Sequence, residues 1–350
     1  KLFRWGMQTG GRQWQRFLET PDYIEIQAGL ARTQSHHLPM PPRTTWSWIE
    51  AYGDLSVDPG TVHGVWQSAR EATAAAVESV VPDADLERAL RDSAAWADAP
   101  VHDIVVAGSG WGALEEVRRN QDGAPYHGLP GVFYSESSIG PDQMPWRTLL
   151  KTGALPEVAD PLEQPGAFVH HEGWMARLQE SLSKPTGNHW AAWFHFGVQC
   201  WHAGNIEGAV EAWRTSCELA ENPWARRCLG SAATVAGRHE DAVGHLARAF
   251  DRLSGLRPLA VEYATALLAA DHPDQALATI AALPAPLRHD GRLRLLEGRA
   301  LLALGRLDEL KRLLDSAPVP DDMREGESAF CDLWFEVQTR RLCEREGRKV

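Results

Sequence analysis

Glu25 and Glu50 are the two residues of this chain whose type and setting best fit bond-cleaving chemistry. Each lies in a short run that alternates with the period of a β-strand. In the first, Tyr23, Glu25 and Gln27 point one way while Ile24, Ile26 and Ala28 point the other. In the second, Trp46, Trp48, Glu50 and Tyr52 share a face opposite Ser47, Ile49 and Ala51. Carboxylates, an amide, indoles and a phenol suit a polyol with apolar C–H faces, which is a sugar. Two carboxylates can divide the work of glycoside cleavage: one protonates the leaving oxygen, the other activates water or attacks carbon. One carboxylate with His37, which lies between the two runs, could instead open and close a sugar ring by proton transfer. Gln27, Arg32 and Gln34 are candidates for holding hydroxyls, and Trp46, Trp48 and Tyr52 for the stacking platform. The competing explanation of the same pattern is a packed sheet with solvated acids.

The elements that must position these groups come next. Gly6, Gly10 and Gly11 mark a loop, and Trp14, Phe17 and Leu18 have the spacing of a short helix. Between the two alternating runs, Pro39, Pro41 and Pro42 specify a loop. Two or three strands do not make a stable sheet alone. Residues 1–57 are therefore expected to be the C-terminal end of a larger β domain, with more chain upstream of Lys1. From Asp58 the period becomes helical, with Asp58 as N-cap and Pro59 in the first turn. One helix is expected as far as Val81, and a second from Asp83 or Asp85 through Trp96. Residues 120–170, rich in Gly, Pro and aromatics, are expected to be irregular, and 172–182 helical.

Turn positions then recur at Gly204, Gly237, Asp271 and Gly305, with a period of about 34 residues. Ala209, Ala242, Ala276 and Leu310 follow in register, and Trp213, Leu246, Ile280 and Leu314 come four residues later. Neither helix of such a pair can hide its apolar face alone, so the units must stack. The pattern resembles the tetratricopeptide repeat over residues 188–318, and Asp321 to Arg341 reads as a capping helix with Phe330, Leu333, Trp334 and Val337 inward. Tetratricopeptide arrays bind peptides along their first helices, and by that resemblance Phe194, Val198, Trp201 and His202 would line the first repeat. Because this lining is so aromatic, the chain's own upstream region is expected to dock on it.

Composition narrows the function. A net charge of −12 argues against nucleic acid or an anionic membrane as partner. No apolar run is long enough to span a bilayer. The five cysteines never stand as C-x-x-C, which fits reduced thiols and a cytoplasmic location. Gly108, Gly110 and Ala113 match a dinucleotide fingerprint, but the Gly- and Pro-containing loop after Arg119 does not lead into a returning strand. A helix start packed close to another backbone explains those glycines better. His189, His195 and His202 cluster, but His195 and His202 are two helical turns apart, too far to ligate one ion alone, and neither metal nor cofactor is expected.

The blocks E-I-Q-A-G-L-A-R-T-Q at 25–34 and W-S-W-I-E-A-Y-G at 46–53 carry a wider resemblance, together with G-S-G-W-G-A-L-E at 108–115 and the trailing repeats. The chain resembles bacterial proteins that join a galactose-mutarotase-like β-supersandwich domain of unknown function to C-terminal tetratricopeptide repeats. The resemblance implies a mainly α chain: the last strands of a β-sandwich (1–57), a helical and irregular connector (58–187), four repeats (188–318) and a capping helix (319–350). It implies a carbohydrate-active protein, glycoside hydrolase-like or mutarotase- or epimerase-like, with a small carbohydrate as partner. The alternative is a repeat scaffold for protein–protein interaction whose sandwich is structural or merely sugar-binding.

Overall fold

The computed structural model describes residues 2–4, 8–19, 24–33, 35–97, 99, 102–124, 132–316 and 327–348. Tyr23, Gln34 and the expected cap start at 321–326 lie outside them. The chain is mainly helical and divides into two units, Lys1–Val106 with His127–Phe133, and Ala107–Tyr126 with Tyr134–Val350.

In the first unit β1 (Leu2–Arg4) pairs antiparallel with β2 (Ile24–Ile26), with Phe3 opposite Glu25. Between them runs α1 (Thr9–Phe17), whose Trp14 and Phe17 rings meet edge to face at 5.7 Å. The run Trp46–Tyr52 has no regular secondary structure and belongs to no ladder among the described residues. Alternation predicts a strand's conformation; a partner strand is a separate requirement, which the sequence of the run cannot supply. Asp58 caps α2 (Pro59–Val62) through its carboxylate, which accepts from Thr61 N at 2.8 Å. The expected single helix to Val81 is broken at Gly64, and α3 (Trp66–Val80) restarts after it. α4 (Asp83–Ala97) follows with Asp83 and Asp85 in its first turn, where the helix dipole favours acids.

The second unit opens with α5 (Gly110–Gln121). A Cβ on Gly110 would sit 2.3 Å from the Ser138 carbonyl oxygen, so this helix start does pack against another backbone. The region expected to be irregular contains α6 (Met144–Thr152), which buries Trp146, Leu149 and Leu150 and ends at Gly153 with φ +72°. α7 (Glu172–Leu182) buries Trp174 and Leu178 against it.

Four helix pairs follow, in the expected register. They are α8 (Trp190–His202) with α9 (Ile206–Leu219), α10 (Pro223–Val235) with α11 (His239–Arg252), and α12 (Arg257–Ala269) with α13 (Pro273–Ala282). The one-turn α14 (Ala285–Arg288) precedes the last pair, α15 (Gly291–Ala303) with α16 (Leu307–Ser316). Each turn inside a pair is closed the same way. Gly204, Gly237, Asp271 and Gly305 take positive φ, and the next residue's N–H reaches back to Cys200, Ala233, Leu267 and Leu301 in turn. That is the left-handed C-terminal stop that glycine favours, with Asp271 bearing the strain a side chain adds there.

The small-residue register is equally regular. Ala209, Ala242, Ala276 and Leu310 are fully buried, and Trp213, Leu246 and Ile280 nearly so. In the first helix of three pairs a glycine stands at the crossing: a Cβ would come within 2.4 Å of Trp213 at Gly197, 2.6 Å of Leu246 at Gly230 and 2.7 Å of Leu333 at Gly298. Ala264 holds that place in the third pair and is completely buried. Arginine–carboxylate links about one repeat apart, Arg227–Glu262, Arg257–Asp290 and Arg292–Glu327, tie successive units together. The chain closes with α17 (Ala329–Glu346), which buries Leu333 and Val337 and half-buries Phe330. Trp334, expected inward, stays 43 % exposed, because it lies at the shoulder of the helix rather than on its packed stripe.

Candidate functional site

Two places in the structure gather groups able to recognise a ligand, one in each unit. In the second unit the site is built on α8. Residues 155–169, which carry Pro156, Pro161 and Pro165, run as a strap beside this helix and are held by side chains that donate to backbone carbonyls. His189 Nδ1 accepts from Ala192 N as the N-cap of α8, so its Nε2 carries the proton and donates to Leu155 O at 3.0 Å. Trp190 Nε1 donates to Val158 O at 2.7 Å, His195 Nε2 to Pro165 O at 2.8 Å and Gln199 Nε2 to Val169 O at 3.1 Å. Trp146, from α6, donates to Ala167 O at 2.9 Å. The proline spacing keeps the strap from forming a helix and removes N–H groups that would otherwise need acceptors. At its N-terminal end Leu155 N donates to Ser181 Oγ at 3.0 Å, and the Lys184 ammonium to Gly153 O at 3.0 Å.

Electrostatics at this site follow from burial. His195 is fully enclosed, with its ring edge to face against Trp146 at 5.2 Å. Burial holds its imidazole down to about 4, outweighing the hydrogen bond to Pro165, with His189 adding a smaller push in the same direction. Since Nε2 donates, Nδ1 is bare, and no acceptor faces it. Beyond the strap His170 stacks on His202, ring centroids 3.8 Å apart. Phe194, Val198 and Trp201 pack half-buried against the cluster of Cys200, Trp213 and Leu229. The strap lies on the His195–Gln199 side of α8. The histidines of α8 are spent on carbonyls and on ring stacking, and among the described residues no group of three or more His, Cys, Asp or Glu is placed to hold a metal.

In the first unit a groove of about 990 Å³ lies between residues 26–33 and 48–53. It brings together Gln27, Arg32, Trp48, Glu50 and Tyr52. Tyr52 OH donates to a Glu50 carboxylate oxygen at 2.6 Å, and that bond raises the phenol above its ordinary range. Glu25 does not line the groove; its carboxylate is bonded by Gln27 Nε2. Trp46 faces a separate cavity of about 530 Å³ with Leu30, Leu38 and Pro39, and His37 is exposed outside both. Gln34 lies outside the described residues.

Sequence reasoning does not single out the strap and its donors. The signal available is a proline-punctuated stretch followed by a helix with His189, His195, Gln199 and His202, a pattern that reads more readily as a metal question.

No family model matches the chain, and no curated protein matches it. Among solved structures it is similar to the crystal structure of MamA protein, 17 % identical over 41 % of this chain and 79 % of that one, with a TM-score of 0.37. It is also similar to a Podospora anserina putative kinesin light chain with nearly identical TPR-like repeats (15 % identity, 47 % of this chain, 87 % of that one, TM-score 0.33). A third is TTC0263, a thermophilic TPR protein of Thermus thermophilus (17 % identity, 49 % and 90 %, TM-score 0.32).

Proposed function

We propose that the chain is a protein-interaction scaffold whose first helices face an extended peptide partner. The observation that supports this reading is the strap. On α8, side chains grip a non-helical segment through its carbonyl groups, which lets a helix face hold a chain whatever its side chains. One register on, the places of His195 and Gln199 are taken by Cys228 and Ala232. The later helices therefore offer a different surface, lined with half-buried Arg227, Glu262, Arg294 and Glu297. Peptide-display selection against the full chain tests this. Selected peptides are expected to lose about tenfold or more in affinity on Arg227→Glu or Arg294→Glu and to ignore Glu218→Lys on α9. Binding that is indifferent to all three changes would remove the first helices from the function.

A second reading, specific to the first unit, is sugar handling by the last strands of a β-sandwich, in a glycoside-processing or mutarotase-like reaction. What supports it is the convergence of Glu50, Tyr52, Trp48, Arg32 and Gln27 on one groove. Glu50, in the groove and hydrogen-bonded, becomes the better acid–base candidate, and Glu25 a group that orients Gln27. On a glycoside panel, Glu50→Gln is expected to cost about 100-fold or more in turnover and Glu25→Gln much less. Equal turnover in Glu50→Gln and the parent would end this reading.

A further inference from the structure

α17 packs one stripe against the last helix pair and leaves another exposed. Cys331, Trp334, Phe335, Gln338 and Leu342 recur at intervals of three and four residues and so form one stripe. It lies away from the buried Leu333 and Val337. Trp334, Phe335 and Leu342 are 43 %, 63 % and 42 % exposed. The two aromatic rings meet edge to face at 5.1 Å and stand as a knob on the N-terminal half of the helix. On the C-terminal half, Gln338 and Leu342 form with Leu307 of α16 the wall of a cavity of about 860 Å³. Knob and hole thus sit on opposite halves of one helix.

We infer that this face is the interface between two copies of the chain, with their α17 helices antiparallel about a two-fold axis near Gln338. Only an antiparallel pairing sets each knob against the other copy's hole, so that both contacts are made at once, as a two-fold interface requires. Numbering along the helix then brings Trp334 opposite Leu342 of the second copy. The hole is rimmed by Lys311, which pairs with Asp315, by Arg341, which pairs with Asp308, and by Arg345. The guanidinium groups on the rim also come within reach of the second copy's indole face, a favourable cation–π arrangement. A parallel pairing would set aromatic pair against aromatic pair and leave both holes unfilled.

Sedimentation velocity of the full chain at roughly 1 to 100 µM tests the pairing. A dimer is expected, weakened about 30-fold or more by Trp334→Glu at the knob and by Leu342→Glu at the hole. Both side chains are exposed, so each variant should keep the parent's circular dichroism. In a Cys331→Ser, Cys343→Ser background, Gln338→Cys should form an intermolecular disulfide on mild oxidation, since the axis brings this residue against its own copy. A chain that stays monomeric, a dimer indifferent to both charged variants, or a Gln338→Cys chain that does not cross-link would each overturn the inference. The cross-link arm does not depend on the charged variants folding.

Discussion

Arg118→Ala is expected to destabilise the second unit by about 3 kcal/mol, the low end of the range for breaking a buried ion pair. The Arg118 side chain is 6 % exposed and lies at the centre of a network whose acids join α5 to α7, Glu115 through Trp174 and Asp122 through Arg177. Its Nε and Nη2 donate to the two Glu115 oxygens at 2.9 and 2.7 Å, and its Nη1 to Asp122 at 2.5 Å. Glu115 also accepts from Arg119 and from the Trp174 indole, each at 2.9 Å, and Asp122 from Arg177. Burial alone would raise the Glu115 carboxyl, but the hydrogen bonds from Arg118, Arg119 and Trp174 outweigh it and bring it down to about 2. Truncation at Arg118 withdraws the central cation and leaves two carboxylates facing each other across the space. Arg119 and Arg177 still reach those carboxylates, which is why the low end of the range applies. Arg118→Lys should recover only part of the loss, since one ammonium cannot span three oxygens as a guanidinium fork does. Gly173 has no room to adjust, because a Cβ there would lie 2.1 Å from Arg118 Nη1. Urea denaturation followed by circular dichroism checks both variants; a midpoint unchanged in Arg118→Ala would mean the network is not what joins α5 to α7.

How much of this is legible in the sequence differs sharply between the two halves of the chain. The repeats can be read because their register is written in residue size. A small residue is required where helices cross, and a left-handed stop where each pair turns. Those demands fix Ala209, Ala242 and Ala276, and Gly204, Gly237 and Gly305, whatever lies elsewhere. α6 escapes a sequence reading because Pro145 and the flanking glycines look like loop; proline is tolerated in a helix's first turn, and Pro145 stands there. An indole at helical spacing looks like core, which sets Trp334 inward, yet α17 has only one packed stripe and Leu333 and Val337 fill it.

The candidate groups are less legible still. Period-two alternation is no guide to the groove, which takes consecutive residues from both runs, Ile26 to Thr33 and Trp48 to Gly53; which side chains meet depends on how the segments are placed. Hence Glu50 and Trp48 share a groove while Trp46 lines a different cavity. The strap leaves almost no local signature. Its recognition uses backbone carbonyls, which every residue has, and donors on a helix whose spacing reads equally well as core.

Stability is expected to fall by about 3 kcal/mol between pH 7 and pH 4 on account of His195 alone. An imidazole in the unfolded chain takes up its proton near 6.5, whereas the buried ring resists until about 4. Between those values the unfolded state binds a proton that the folded state refuses, at about 1.4 kcal/mol per pH unit. The contribution is therefore complete above pH 6.5, drains away as the pH falls toward 4, and changes no further below it. The physical cause is on both sides of the ring: Nε2 is committed to Pro165 O, and a proton on Nδ1, buried beside Trp146, would find no acceptor. Burial also lowers His245, so the parent's slope is not due to one residue, and the comparison must be between chains. His195→Gln keeps a donor for the strap carbonyl and has nothing to titrate. Its stability should vary less steeply than the parent's from about pH 6.5 to 4.5, above the window in which Glu115 loses its charge. Parallel pH profiles for the two chains would mean that the strap is not held by a neutral His195.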